Sequence, residues 1–364
     1  MLLAVVIRPT NAVIWCIPVL DLAWRSAGEK RLMINIRTFV GYGIVSLLIT
    51  LAVDSYCYGQ FQFVPWNFLR LNLGLDGGPP VSIYYGANGL FWYFTQALPL
   101  LWWTASPHII YGIYLIWCKG DRPVKVLLGT SILTILIYSS LEHKEQRFLL
   151  PLQSTFSIFA AFAEIQSSKE RRIRQWVVLT LIATNLPIAW YTLQVHQRGV
   201  IDVMTYLHHL PSCQADSVDC LDSLGFLMPC HSTPWQSHLL RPELQAKGKV
   251  WALTCEPPIG PNSVADYVDE ADLFYRDPIG FLSTCLSDQS SSSTGPESIE
   301  ICDSHWSGRS RPWPSHLVLF EASREAIGDI LIEKGYHLQK SIFNSHFHDD
   351  ARRRGDVLVY VRRL

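Results

Sequence analysis

The sequence predicts a polytopic α-helical membrane domain over residues 1–196 and a small α/β domain over residues 197–364. Three observations carry that division. The first part contains six long apolar stretches. It holds 15 Lys+Arg against 9 Asp+Glu, whereas the second part holds 15 against 22, so opposite charges hide behind a net of −1. Nine of the 13 Trp lie in the first part. A composition of 49% hydrophobic and 17% charged residues excludes a disordered chain, a coiled coil and a collagen-like chain. No basic domain or tail marks a general nucleic-acid binder, so none is expected as a partner.

A spanning helix needs about 20 mostly apolar residues. The six stretches that approach this are Leu2–Leu20, Thr38–Val53, Phe94–Trp117, Val124–Leu141, Phe148–Ile165 and Gln175–Gln194. Phe94–Trp117 contains Pro99 and Pro107 and is expected to be kinked or broken. The alternative is a soluble bundle of buried helices, which the scarcity of charge between the stretches disfavours. Lys and Arg concentrate in loops 21–37, 118–125 and 166–174, while loop 54–93 holds only Arg70. The positive-inside rule therefore puts those three loops in the cytoplasm. Loop 54–93, turn 142–147 and everything after residue 194 then lie on the far side. Met1 falls on that side too, with no basic n-region of a cleavable signal. Arg8-Pro9 interrupts the first apolar stretch, and an intramembrane Arg normally faces a cavity or partner. These features lead us to expect an internal start within a longer polytopic protein.

Two far-side segments carry unusual chemistry. Loop 54–93 is dense in Tyr, Phe and Trp but has no apolar run long enough to span. It reads as an interfacial aromatic belt, as a re-entrant segment lining a lipid-facing cleft, or as both. The turn Glu142-His143-Lys144-Glu145-Gln146-Arg147 sets five ionisable residues between two spans. Such a turn can be a solvated hairpin with snorkelling cations. Beside an aromatic loop it also suits a lipid phosphate, held by Lys and Arg with His as hydrogen-bond partner or proton carrier.

The string H-K-E-Q-R-F-L-L-P at 143–151 resembles the H-K-E-x-R-F signature of glycosyltransferase family 22, the endoplasmic-reticulum mannosyltransferases that use dolichyl-phosphate mannose. R-P-T at 8–10, D-S-Y-x-Y-G at 54–59, N-F-L at 67–69, Y-G-A-N at 85–88 and Q-A-L-P at 96–99 agree with it. In the tail, P-C-H-S-T-P-W at 229–235 and D-E-A-D-L-F-Y at 269–275 resemble the branch that adds the third, α1,2-linked mannose to the glycosylphosphatidylinositol (GPI) anchor precursor. The resemblance implies a GT-C type membrane fold in the endoplasmic reticulum and inverting transfer. Dolichyl-phosphate mannose is then the donor and the GPI glycolipid the acceptor, with membrane lipid around both. It implies no cofactor and no metal. Position on the far side of the membrane assigns the donor phosphate to Lys144 and Arg147, with His143 hydrogen-bonding it, Glu145 orienting the cations and Arg8 as a second phosphate or helix-pairing candidate. Asp54, Tyr85 and Asn88 are the cleft candidates. The family's acidic H-P-D-E motif, source of the catalytic carboxylate, has no counterpart in this sequence. The chain is therefore expected to be a truncated form without its general base. Rival readings are an α1,2 or α1,6 mannosyltransferase of N-glycan assembly and a non-catalytic membrane remnant.

In the second part, residues 198–210 read as a helix with Val200, Val203, Met204 and Leu207 on one face. Strand-like runs follow at Leu224–Met228, Val250–Thr254, Leu317–Phe320 and Val357–Val361, with a helix over Ala322–Lys334 stopped by Gly335. The alternation predicts an α/β sandwich, and the Ser-rich stretch 287–295 predicts a flexible loop. Six Cys allow 15 pairings in a disulfide-permissive compartment, and no C-x-x-C favours zinc. His346-x-His348-Asp349-Asp350, His208-His209 and Asp269–Asp272 read as ordinary polar segments rather than metal sites. Cys230-His231 lacks a partner that would make it a nucleophile.

Overall fold

A computed structural model describes residues 2–27, 30–75, 81–167, 171–213, 220–245, 249–255, 268–288 and 311–363. The chain divides into two compact units, with the main boundary between Asn185 and Leu186. The division falls inside a helix rather than after it.

The first unit is helical. Its elements are α1 (Leu2–Ile7), α2 (Asn11–Ser26), α3 (Lys30–Tyr58), α4 (Val64–Asn72), α5 (Leu98–Trp102), α6 (Ser106–Lys119), α7 (Arg122–Ser140), α8 (Gln153–Ser167) and α9 (Arg171–Gln194). Among the described residues, four helical segments are long and apolar enough to cross a membrane: Ile36–Tyr58, Arg122–Ser140, Gln146–Ser167 and the run starting at Arg171. These match four of the six expected stretches. The apolar window of α3 is not buried inside the protein at all. A helix that keeps apolar side chains exposed all round is suited to lipid. The other two stretches are interrupted. Leu2–Leu20 breaks at Arg8–Thr10, because a residue before proline is pushed out of the helical region. Phe94–Trp117 breaks at Trp103, whose φ is 37°, with Pro99 and Pro107 each in the first turn of the helical piece that contains it.

The core of this unit gathers Tyr93, Ile116, Leu149, Leu152, Phe156 and Phe159, all essentially inaccessible. At Gly112 on α6 a Cβ would overlap the Phe159 carbonyl of α8, so only glycine permits this close approach. Helices α2 and α7 are tied at both ends. The Tyr138 hydroxyl donates to Thr10 O at 3.1 Å, and Asp21 pairs with Arg122 at 2.7 Å.

The second unit is an α/β sandwich. Its elements are α10 (Gly199–His209), β1 (Leu224–Leu227), α11 (Trp235–His238), α12 (Pro242–Gln245), β2 (Val250–Ala252), α13 (Glu270–Arg276), α14 (Pro278–Cys285), β3 (Leu286–Ser287), β4 (Arg311–Pro312), β5 (His316–Phe320), α15 (Arg324–Glu333), β6 (Tyr336–Ile342) and β7 (Val357–Arg362). Five strands form one sheet in the order β2-β1-β5-β7-β6, with β2, β1 and β5 parallel and the last two antiparallel. Alternate residues supply two cores. Leu317, Leu319, Leu358 and Tyr360 pack with α13, α14 and α15. Leu224, Phe226, Val318, Phe320 and Val359 pack with α10. Central strands covered on both faces read as continuous apolar runs, which is why β1, β5 and β7 were visible in sequence. Gly225 in β1 is required because a Cβ there would collide with the Trp251 ring.

Asp269 caps α13 by accepting from Asp272 N at 2.7 Å, and Asp272 pairs with Arg352 at 3.0 Å, so both carboxylates have structural partners. His208 and His209 each bond a backbone carbonyl through Nδ1. In the 346–350 stretch His346 bonds the Tyr191 hydroxyl, while Asp350 pairs with Arg352. Disulfides join Cys213 to Cys220 and Cys230 to Cys255, and Cys285 is also disulfide-bonded. Cys302 and most of the Ser-rich 287–295 stretch lie outside the described residues.

Candidate functional site

The charged turn after α7 folds onto the aromatic loop. The backbone of Asn88 donates to Glu142 O at 2.9 Å, and its side-chain amide donates to Lys144 O at 3.2 Å. Gly86, at φ 99°, turns its carbonyl toward the ring of His143, whose Nδ1 donates to it at 3.0 Å. The Y-G-A-N segment thus clamps the turn at three points.

Within the turn the charges are arranged rather than free. Glu145 binds Arg147 through both oxygens, with Nη2 to Oε1 at 2.7 Å and Nε on Oε2. His143 Nε2 lies 3.0 Å from the same Oε1. Both ring nitrogens of His143 face acceptors, so both bonds form together only with a proton on each nitrogen. Burial raises the Glu145 carboxyl, but the Arg147 and His143 hydrogen bonds outweigh it and hold the group below the usual carboxylate range. Glu145 is therefore a committed anion that holds Arg147 and His143 in place.

Arg147 and Arg8 converge on one ring. Their guanidinium carbons lie 6.0 and 5.4 Å from the centroid of Phe148. Arg8 sits in the break between α1 and α2. Among the described residues no carboxylate lies within ion-pair distance of it. Around these groups is a cavity of about 320 Å³ lined by Arg8, Arg147, His143 and Glu145, closed by Tyr85 and Phe68 from the aromatic loop. Thr10, Asn72, Ser82 and Tyr138 add neutral polar groups to its wall. The arrangement offers two planar cations, a histidine and an aromatic floor, which is the donor set for a phosphate carried on a lipid.

The structure thus brings together Arg8, Tyr85, His143, Glu145 and Arg147. Three other expected residues do not line the cavity. Lys144 is buried, 4% exposed, and its ammonium donates to Asn88 O at 2.7 Å and to Leu141 O. Burial pushes its amine below the ordinary lysine value, against the opposing pull of Glu142. Lys144 is placed as a pin of the turn, because its long stem lets the amine reach back to two carbonyls. Asn88 is the clamp just described, and Asp54 lies in the last turns of α3 away from the lining. Sequence reasoning did not single out Thr10, Tyr138 or Phe148 as site residues, although Thr10 belongs to the R-P-T string and Phe148 to H-K-E-x-R-F.

The first unit combines helices long and apolar enough to cross a membrane with a cavity that two arginines line. The model of the Alg9-like mannosyltransferase family matches residues 1–240, and the chain belongs to that family. The chain is 37% identical over 98% of its length to GPI mannosyltransferase 3 of Yarrowia lipolytica, of which it covers 63%. It is 35% identical to GPI alpha-1,2-mannosyltransferase 3 of Danio rerio, over 99% of this chain and 59% of the relative. It is 30% identical to GPI mannosyltransferase 3 of Saccharomyces cerevisiae, over 99% and 58%. The chain therefore spans about three fifths of the length of these relatives. No solved structure matches it.

Proposed function

We propose that the protein transfers mannose from dolichyl-phosphate mannose to the GPI-anchor precursor, adding the third residue in α1,2 linkage, in the endoplasmic-reticulum membrane. The observation that carries the reading is the pair of guanidiniums, Arg8 and Arg147, converging on Phe148 in a cavity beside lipid-facing helices. The names of the relatives support the acceptor, and the family supports the sugar.

In this reading the bond from the mannose anomeric carbon to the donor phosphate breaks, while a bond to the acceptor hydroxyl oxygen forms on the opposite face. The hydroxyl proton passes to a carboxylate base. Negative charge grows on the departing lipid phosphate, and cations already in place stabilise it without reorganisation. Arg8 and Arg147 supply that charge, and His143 adds a hydrogen bond. Glu145 holds Arg147 and His143 in register. It is poorly suited to be the base, because both oxygens already accept hydrogen bonds from cationic groups. No base is assigned within residues 1–364. The proposed topology crosses the membrane six times with the second unit in the lumen.

The test is a chimera carrying the N-terminal part of the Yarrowia lipolytica relative joined to this chain. It should restore GPI-anchored surface protein in cells lacking the third mannosyltransferase and remove the accumulated two-mannose precursor. Restoration of N-glycan elongation alone would instead favour the N-glycan branch of the family.

A further inference from the structure

A second cavity, of about 350 Å³, lies wholly within the α/β unit. It sits at the carboxyl ends of the parallel strands β1 and β2. The connection from β1 leads to β2 on one side, and the chain then returns to β5 on the other side of β1. In open α/β sheets such a reversal marks the place where loops, freed from the ladder, form a ligand crevice. The transfer reading makes no use of this cavity.

We propose that it is a binding site for a neutral sugar. Among the described residues its lining contains no Lys, Arg, Asp or Glu, and its one imidazole, His231, is exposed, so a phosphate, a carboxylate or a metal cation would find no fixed countercharge. Trp235 is half-buried, stacked on buried Phe226 with ring centroids 6.5 Å apart and an interplanar angle of 24°. It gives the cavity a flat apolar wall with a polar edge. Ser232, Thr233, Gln236 and Ser237 set hydroxyl and amide groups around that wall. An aromatic face beside uncharged donors and acceptors matches a pyranose ring, whose C–H face stacks while its hydroxyls bond at the rim. The volume falls in the usual range for small-ligand sites.

The loop is also fixed before any ligand arrives. The disulfide Cys230–Cys255 ties the end of β1 to the end of β2. His231 adopts φ 57°, the Ser232 hydroxyl bonds Pro229 O, and Pro234 leads into α11. Such rigidity lowers the ordering cost of binding a weakly interacting sugar. Cys230, His231 and Cys255 lie close enough to hold a metal ion, but both sulfurs are consumed in the disulfide.

The experiment uses the full chain in detergent, with saturation-transfer NMR on methyl α-mannoside and α1,2-linked mannobiose and inositol phosphate as the charged control. We expect saturation of the sugar ring protons; any saturation of inositol phosphate should come from the Arg8–Arg147 cavity and be lost in Arg147→Ala. Trp235→Ala should weaken mannobiose binding about tenfold, and Gln236→Ala several-fold. Arg147→Ala, in the other cavity, should leave it unchanged, which separates this site from the proposed donor site. Gln236 is exposed and serves as the deciding variant if Trp235→Ala does not fold. Absence of saturation in the folded wild-type chain would overturn the proposal. So would mannobiose affinity unaltered in a folded Trp235→Ala or Gln236→Ala variant, loss in Arg147→Ala, or binding of inositol phosphate alone.

Discussion

Removing Arg147 should do two things at once, because its guanidinium faces the cavity and also covers Glu145. Losing one preorganised cation opposite a developing negative charge costs about 100-fold in rate, or ~2.7 kcal/mol. The substitution Arg147→Ala also leaves the Glu145 carboxylate with only His143 beside it. A carboxylate stripped of its strongest partner adds roughly 1 kcal/mol, or about fivefold, and its charge now opposes the donor phosphate. Arg147→Ala should therefore slow transfer by about 500-fold, combining these two effects. Adding Glu145→Gln should return the second part, leaving the double variant near 100-fold below wild type. Glu145→Gln alone should cost about tenfold or less, since it loosens Arg147 and His143 without removing either side chain. The assay is transfer of labelled mannose from dolichyl-phosphate mannose to the two-mannose precursor in microsomes expressing the chimera. Two outcomes would refute the reasoning. If Glu145→Gln alone abolishes transfer, Glu145 is a chemical base and not an orienting anion. If the double variant is no better than Arg147→Ala, the ion pair does not couple the two residues.

Lys144→Ala should act through stability, because it uncovers the Asn88 and Leu141 carbonyls; we expect a loss of about 1–3 kcal/mol in thermal unfolding, whereas Arg8→Ala should weaken donor-analogue binding without moving the melting temperature. A Glu145 carboxyl held low binds its proton less readily folded than unfolded. Its contribution is thus complete above the ordinary carboxylate range and lost as pH falls through the lowered value. Melting temperature against pH should stay flat from neutrality down to the ordinary carboxylate range before falling, and in Arg147→Ala the fall should shrink, because the folded carboxyl moves back toward its unfolded value; a fall near neutrality would contradict the assigned network. A glycosylation acceptor engineered after residue 200 should be modified in cells, and an unmodified acceptor with a protease-sensitive tail in intact microsomes would overturn the topology. Residues 1–364 alone, which contain no H-P-D-E string, should not rescue cells lacking the third mannosyltransferase; rescue would put the base within this sequence, with Asp54 and Glu145 tested first.

Hydropathy made the long helices legible, because an apolar run of spanning length has few other uses. Arg8-Pro9 marked the interruption of the first run, and Pro99 and Pro107 foretold a break in Phe94–Trp117, but not its position at Trp103. In the second unit, the buried strands β1, β5 and β7 announced themselves as apolar runs, and Gly335, at φ 77°, ended α15 as expected. Strand β6, reading Y-H-L-Q-K-S-I, was not legible. It is an edge strand with mostly exposed side chains and an irregularity between Leu338 and Lys340, so neither run nor clean alternation appears. In the site, the grouping of His143, Glu145 and Arg147 followed from adjacency, and Arg8 from the cost of an intramembrane cation. The direction of Lys144 did not follow. A lysine can snorkel toward solvent or turn inward to carbonyls, and only the placement of Asn88, distant in sequence, decides between them. Disulfide pairing was hidden for the same reason, since Cys230 and Cys255 meet only once β1 and β2 are adjacent.

The most direct test of the donor site is an experimental structure of the chimera in a lipid nanodisc with a short-chain polyprenyl-phosphate mannose. The phosphate should lie in the cavity beside Phe148, within hydrogen-bonding distance of the Arg8 and Arg147 guanidiniums, with Lys144 still bound to Asn88. A phosphate resting elsewhere, with Arg8 and Arg147 facing solvent or lipid, would contradict this placement.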